Sequence, residues 1–150
     1  MTKLFVDKTI EINAPISTVW DVLTRREQTA EWASEFTGGA PLYLESEWKL
    51  GSSVLWKDQH GTVIVEGQVT ALQPPTLLRF TVFDVRGDRQ SVSEEDGITY
   101  RLREQSGKTT LRLLQGDFSA MAEAEKYHGM SAQIWDRVLP KVKALAEQES

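Results

Sequence analysis

The side chains that could act as acids, bases or nucleophiles are few. His60 and His128 are the only imidazoles among the 150 residues, and His128 follows Glu125 at a spacing of three. Such a pair is an ordinary contact on a helix surface, and an isolated histidine is more often structural than catalytic. His60 lies in an Asp-Gln-His-Gly turn, where we expect it to be solvated. We therefore predict no catalytic residue.

Metal and cofactor sites have equally little support. The chain has no cysteine, which excludes disulfides, thiolate nucleophiles and cysteine metal ligands. The histidines and carboxylates show no spacing at which three or four ligands converge. The only adjacent glycines, Gly38 and Gly39, match no phosphate-binding loop. We predict neither a metal nor a cofactor.

Polar or amphipathic residues occur instead at the ends of predicted strands, at Trp56, Asp84 and Gln115. Each follows an alternating run whose inward side chains are apolar. In an antiparallel meander these three ends lie at one end of the sheet, and we expect the mouth of a ligand pocket there. Two alternatives stay open: Asp84 and Gln115 emerge into solvent, and Trp56 belongs to the core.

The elements that position these residues follow from periodicity. Residues 3–13 alternate as a strand, Pro15 and the apolar stripe from Ile16 to Leu23 predict a helix, and a second short helix is predicted over 27–33. A charged, serine-rich stretch at 86–96 is predicted as a mobile loop. Period-two alternation predicts six further strands, over residues 42–48, 53–58, 62–72, 77–84, 98–104 and 109–116.

Alternation also assigns the inner face of each strand. In strand 77–84, Thr81 is predicted to face outward with Arg79 and Phe83. Tyr100, in mid-strand, is a better ligand candidate than Trp56 because a buried hydroxyl needs a partner, although a side chain or water could supply one. The residues predicted to face inward are Val54, Trp56, Val63, Val65, Leu78, Phe80, Val82, Asp84, Ile98, Tyr100, Leu102, Leu111, Leu113 and Gln115.

The last segment changes to helical periodicity, with Ser119 as the predicted N-cap. Pro140 lacks a backbone N–H, and its ring meets the carbonyl of Asp136, so we expect a bent helix and not two helices. The predicted inner face contains Tyr127, Met130, Ile134, Val138 and Leu145, with Trp135, Leu139 and Val142 beside it.

Composition excludes several classes of partner. The net charge is −5 with a pI near 5.1, and 17 basic residues are scattered among 22 acidic ones, whereas nucleic-acid binding needs a basic face. There is no signal-peptide pattern and no run of about 18 apolar residues, so we expect no membrane span. The absence of cysteine suits a reducing compartment, and we expect a cytoplasmic protein. The length matches one domain over residues 1–150.

One strand, two helices, six strands and a long helix predict an α+β fold, in which a curved antiparallel sheet of about seven strands surrounds the C-terminal helix. The run from Ile12 through Ala14-Pro15 and Val19-Trp20 to Trp32 resembles the opening of the SRPBCC (START-like, helix-grip) superfamily. More narrowly, the chain is similar to homologues of the activator of the heat-shock chaperone ATPase. That similarity rests on Gly67, Val69, Pro74-Pro75, Leu78, Phe80, Thr81, Thr109-Thr110-Leu111, His128 and Trp135.

The resemblance implies a hydrophobic pocket between sheet and helix but no single activity. The leading hypothesis is a non-enzymatic domain that binds an apolar or amphipathic small molecule. Two alternatives stay open: a polyketide cyclase-like or aromatase-like enzyme using Asp84 with Tyr100, and a chaperone-activating interaction module. A homodimer also stays open. The predicted ligand-binding residues are Trp56, Phe80, Asp84, Tyr100, Leu113, Gln115, Met121 and Ile134.

Overall fold

The computed structural model describes residues 4–84, 97–116 and 123–149, and for residues 83, 84, 124 and 149 it describes the backbone alone. The predicted loop 86–96, the predicted cap Ser119 and the ligand candidate Met121 lie outside these residues. The elements are β1 Val6–Ile12, α1 Ile16–Thr24, α2 Arg26–Ala33, a 3₁₀ turn Ser34–Thr37, β2 Leu42–Glu45, β3 Ser53–Asp58, β4 Val63–Gln73, β5 Leu77–Phe80, β6 Phe83–Asp84, β7 Gly97–Gln105, β8 Lys108–Gly116 and α3 Ala124–Glu149.

The strands form one curled antiparallel sheet in the order β1-β8-β7-β5-β4-β3-β2, with β6 beside β4. The prediction that the strands at 77–84, 98–104 and 109–116 are neighbours is confirmed for β5, β7 and β8. Ser106 and Gly107 join β7 to β8 with φ angles of 54° and 77°, the geometry of a tight two-residue hairpin turn. The predicted α+β helix-grip fold, with two short helices after the first strand, is confirmed.

The predicted strand 77–84 is interrupted in its middle, because Thr81 and Val82 do not have strand structure, although Thr81 N still donates a hydrogen bond of 3.0 Å to Gln68 O of β4. Thr81 was predicted to face outward but is buried, and its Oγ1 accepts a hydrogen bond of 2.9 Å from Gln68 N. Glycine allows this close passage, since a Cβ on Gly67 would lie 1.7 Å from the Thr81 carbonyl oxygen. After the interruption, β6 pairs with β4, whereas β5 pairs with both β4 and β7.

Helix α3 buries Val138 of the predicted inner face and the three residues predicted beside it, so the buried face is rotated from the predicted one. Trp135, Val138, Leu139, Val142 and Ala146 are buried. Tyr127 and Met130, which were predicted to face inward, are 39% and 50% exposed. At 3.6 residues per turn, the centre of the predicted stripe lies about a quarter of a turn from the centre of the buried face. Ile134 and Leu145 therefore lie on the flank of the buried face.

Pro140 lies inside α3, which runs through it as one element and not as two helices. Trp135, just before the bend expected near residues 136–140, and Leu139, within it, are both buried. The bend itself stays a prediction.

Candidate functional site

A cleft of about 270 Å³ opens between the 3₁₀ turn and the inner side of the sheet. Seven of the nine described residues that line it are apolar, and none of the nine is charged. These residues come from the 3₁₀ turn, from β2, β3, β4, β7 and β8, and from the break between β5 and β6. They are Phe36, Thr37, Leu42, Trp56, Ile64, Val65, Val82, Ile98 and Gln115.

Phe36 is held in place by aromatic rings on both sides. Its ring meets Trp56 edge-on at 5.3 Å and Trp135 edge-on at 5.2 Å between centroids. The neighbouring Glu35 carboxylate pairs with Lys141 at 2.9 Å and Arg137 at 3.2 Å, which ties the 3₁₀ turn to α3. The hydrogen bond from Lys141, followed by the pairing with Arg137, holds the pKa of Glu35 below its usual value.

The opposite wall contains a β-bulge, which gives the cleft two consecutive side chains from β4. Trp56 pairs with Val65, but the next residue, Lys57, pairs with Val63. Ile64 is therefore an extra residue in β4. Ile64 and Val65 consequently both line the cleft, which strict period-two alternation does not allow.

Gln115 is the cleft's oriented polar group. Its Oε1 accepts a hydrogen bond of 2.7 Å from the Trp135 indole Nε1. An indole N–H can only donate, so the amide must turn its oxygen toward Trp135. The Gln115 Nε2 amino group, with two N–H donors, then faces away from Trp135.

Two buried donors have no hydrogen-bond partner in the part of the chain that the structure describes: Trp56 Nε1 and the Tyr100 hydroxyl. Trp56 lines the cleft. Tyr100 is fully buried in the core, where its ring lies 6.0 Å from that of Phe80 and 6.2 Å from that of Trp135. Burial raises the pKa of Tyr100 far above its usual value, so the hydroxyl stays protonated and can act only as a neutral group.

The structure brings some of the predicted site residues to the cleft and leaves others behind it. Trp56 and Gln115 line the cleft, and the backbone of Asp84 pairs with the lining residue Val65; the side chain of Asp84 lies outside the description. Ile134 is partly buried on the flank of α3. Three predicted residues lie in the fully buried core and not among the lining residues: Phe80, Tyr100 and Leu113.

Sequence reasoning missed most of the lining. Ile64 was hidden by the bulge, and Phe36 and Thr37 fall in a short 3₁₀ turn that has no periodic signal. Val65, Val82 and Ile98 were assigned to the inner face but not to the site. For Phe36, its position between α2 and the edge strand β2 was the only available clue.

His128 has a structural contact, because its Nε2 lies 2.8 Å from the Phe5 carbonyl oxygen. A carbonyl only accepts hydrogen bonds, so this nitrogen carries the proton. Among the described residues no group of three or more histidines and carboxylates could hold a metal ion. Over the same residues, no helix is both long and apolar enough to cross a membrane.

Solved structures with the same fold extend over nearly the whole chain. ChR145 from Cytophaga hutchinsonii is 23% identical, with a TM-score of 0.72, over 99% of this chain and 98% of its own. The Aha1 dimer from Colwellia psychrerythraea is 15% identical, with a TM-score of 0.72, over 96% of each chain. DynU16, described as a putative protein in the dynemicin biosynthetic locus, is 15% identical, with a TM-score of 0.70, over 99% of this chain and 49% of its own.

No curated protein matches the sequence significantly. The family described as "Activator of Hsp90 ATPase homolog 1-like protein" matches residues 13–147. That range contains α1 and α2, every strand after β1, and nearly all of α3. The sequence resemblance is thereby confirmed, and the chain belongs to the family of Activator of Hsp90 ATPase homolog 1-like proteins.

Proposed function

We propose that the protein is a non-enzymatic domain that binds a small apolar or amphipathic molecule in the cleft. The observation that carries this proposal is the lining: seven apolar side chains and one amide whose orientation is fixed by Trp135. Apolar walls with a few placed polar groups are typical of small-molecule sites. The volume of about 270 Å³ lies just below the usual range of roughly 300–1,000 Å³, which favours a small ligand.

An enzymatic role of the polyketide cyclase type has less support. It would need an acid or base that reaches the ligand, and Tyr100 lies in the core with a raised pKa. The support for this alternative is the structural similarity to DynU16, which is described as a putative protein in a biosynthetic locus.

A protein-interaction role is the second proposal. Its support is the description of the family, which names an ATPase activator, and the description of the Colwellia relative as a dimer. These descriptions motivate a chaperone partner and a homodimer, and size-exclusion chromatography with light scattering would test the homodimer. The cytoplasmic location stays a prediction.

A dye titration tests the leading proposal. We choose 1-aminoanthracene, a small neutral dye whose emission rises in apolar surroundings, and expect it to bind with a single saturable site. Val65→Phe should fill the cleft and weaken dye binding at least tenfold. Val63→Phe makes the same change two residues away on the same strand at a residue outside the lining, and should leave the affinity unchanged. Equal affinities for the two variants, or no binding to the wild type, would contradict the proposal.

A further inference from the structure

Two side chains of the cleft lining, Gln115 and Trp56, carry hydrogen-bond donors. The first donor is the amino group of Gln115. Its direction follows from the hydrogen bond that the amide makes, whichever way the amide oxygen and nitrogen are assigned. Because Trp135 Nε1 donates to Gln115 at 2.7 Å, the amide oxygen is already engaged. The Nε2 amino group of Gln115, a residue of the lining, is the part of the amide that Trp135 leaves unengaged, whereas the oxygen retains one further lone pair.

The second donor belongs to Trp56, on the β3 wall of the same cleft. Trp56 is 3% exposed, and its Nε1 is buried and has no hydrogen-bond partner in the described part of the chain. A buried N–H group without an acceptor is rare in folded proteins, because its lost hydration is not replaced. An acceptor on a bound molecule would replace it.

Free hydroxyl protons and charged groups are missing from the described residues of the same lining. Thr37 is the other polar lining residue, and its hydroxyl donates its one proton to backbone carbonyls at Ser34 and Ala40. None of the nine described lining residues is cationic or anionic. Among these described residues, a carboxylate or ammonium group of a ligand would therefore find no opposite charge to compensate for its lost hydration.

We propose that the ligand is an uncharged, largely apolar compound with a carbonyl-type acceptor, held by Gln115 Nε2 and Trp56 Nε1. This inference rests on the proposed function and narrows it to one chemical class. It excludes fatty acids and other organic anions as preferred ligands. It also excludes pure hydrocarbons, because they would leave both donors unpaired.

Three naphthalenes of similar shape separate these classes. 2-Acetonaphthone carries a ketone, 2-isopropenylnaphthalene replaces the ketone oxygen by a CH₂ group, and 2-naphthoate carries a charge. Calorimetric titrations of the full chain give the three dissociation constants, and ¹H–¹⁵N spectra follow the five indole N–H signals, with Trp56→Phe identifying one of them. One hydrogen bond changes affinity by about threefold to tenfold.

We expect the wild type to bind the ketone about threefold to tenfold more tightly than the alkene, and 2-naphthoate at least about tenfold more weakly. Gln115→Glu keeps an acceptor for Trp135 but removes the amino group, so it should abolish the preference for the ketone. Trp56→Phe, which leaves that amide in place, should reduce the preference and remove an indole signal that the ketone shifts.

The outcomes distinguish this inference from the function on which it rests. Equal binding of ketone and alkene would overturn the inference and leave small-molecule binding intact. Binding of 2-naphthoate as tight as that of the ketone would overturn the uncharged class. A preference for the ketone that survives both substitutions would overturn the assignment of the donors. No binding by any of the three would contradict the inference and the proposed function together.

Discussion

Replacing Tyr100 by phenylalanine should stabilise the protein. The Tyr100 side chain is 0% exposed and its hydroxyl has no partner among the described residues. Burying such a hydroxyl costs about 1–3 kcal/mol. The phenylalanine ring keeps the contacts with Phe80 and Trp135 and leaves a gap smaller than a methyl group, which costs up to about 1 kcal/mol. We therefore expect the free energy of unfolding to rise by about 1 kcal/mol.

The same substitution should change the response to alkali. Burial raises the pKa of Tyr100, so the unfolded chain loses this proton near its ordinary pKa of about 10 while the folded chain keeps it. The wild type should consequently lose up to about 1.4 kcal/mol of stability per pH unit above pH 10 from this residue. Tyr100→Phe should remove that part of the slope.

Urea unfolding at pH 7 and at alkaline pH, followed by far-ultraviolet circular dichroism, measures both effects. Tyr43→Phe is the matched control, because Tyr43 is half-buried on β2. A phenylalanine ring would retain the contact with the Arg26 guanidinium, whose carbon lies 4.3 Å from the ring centroid. We expect that control to stay within about 0.5 kcal/mol. If Tyr100→Phe destabilises the protein by more than about 1 kcal/mol, the hydroxyl has a partner and the reasoning is refuted.

Four further substitutions, one of them a control, test the packing around the cleft. In Gly67→Ala, the added Cβ would lie 1.7 Å from a facing carbonyl oxygen, so the free energy of unfolding in urea melts should fall by more than about 3 kcal/mol. The control Gly129→Ala has open space around its Cβ, and its free energy of unfolding should rise by up to about 1 kcal/mol. Similar values for the two variants would contradict the close approach. The lowered pKa of Glu35 means that its pairing stabilises the fold above the ordinary glutamate pKa and is lost as pH falls through the folded pKa. Glu35→Gln should flatten that acid loss in melts across the acid range, and a profile parallel to the wild type would refute it. Pro140→Ala should change the free energy of unfolding by less than about 1 kcal/mol, because the gain in helix propensity is offset by the loss of packing that fits the proline. The same variant should change the affinity for the dye. An unchanged dye titration would contradict the proposed link between α3 and the cleft.

Long periodic segments were predicted well because burial repeats along them. The strands at residues 53–58 and 109–116 and the helix from Ile16 match the structure closely. Alternation correctly placed Tyr100, which is fully buried, on the inner face. In these elements each side chain's environment follows from the local period.

The prediction failed where a single backbone event breaks the period. The bulge opposite Trp56 turns Ile64 to the cleft, and the passage of Thr81 over Gly67 divides a strand in two. In α3, the predicted inner face is rotated from the buried one. The prediction counted Tyr127 as an inward apolar residue, but Tyr127 remains partly exposed. Such choices depend on partners distant in sequence, which no local pattern records.

The central claim, that the cleft is a small-molecule site, is tested most directly by locating a bound probe in solution. Titration of methyl-labelled protein with 2-acetonaphthone should move the methyl signals of the cleft residues Leu42, Ile64, Val65, Val82 and Ile98. The signals of Ile12 and Leu111, buried residues outside the lining, should move little. Shifts confined to exposed Leu50 and Met130, or no saturable shifts, would contradict the account.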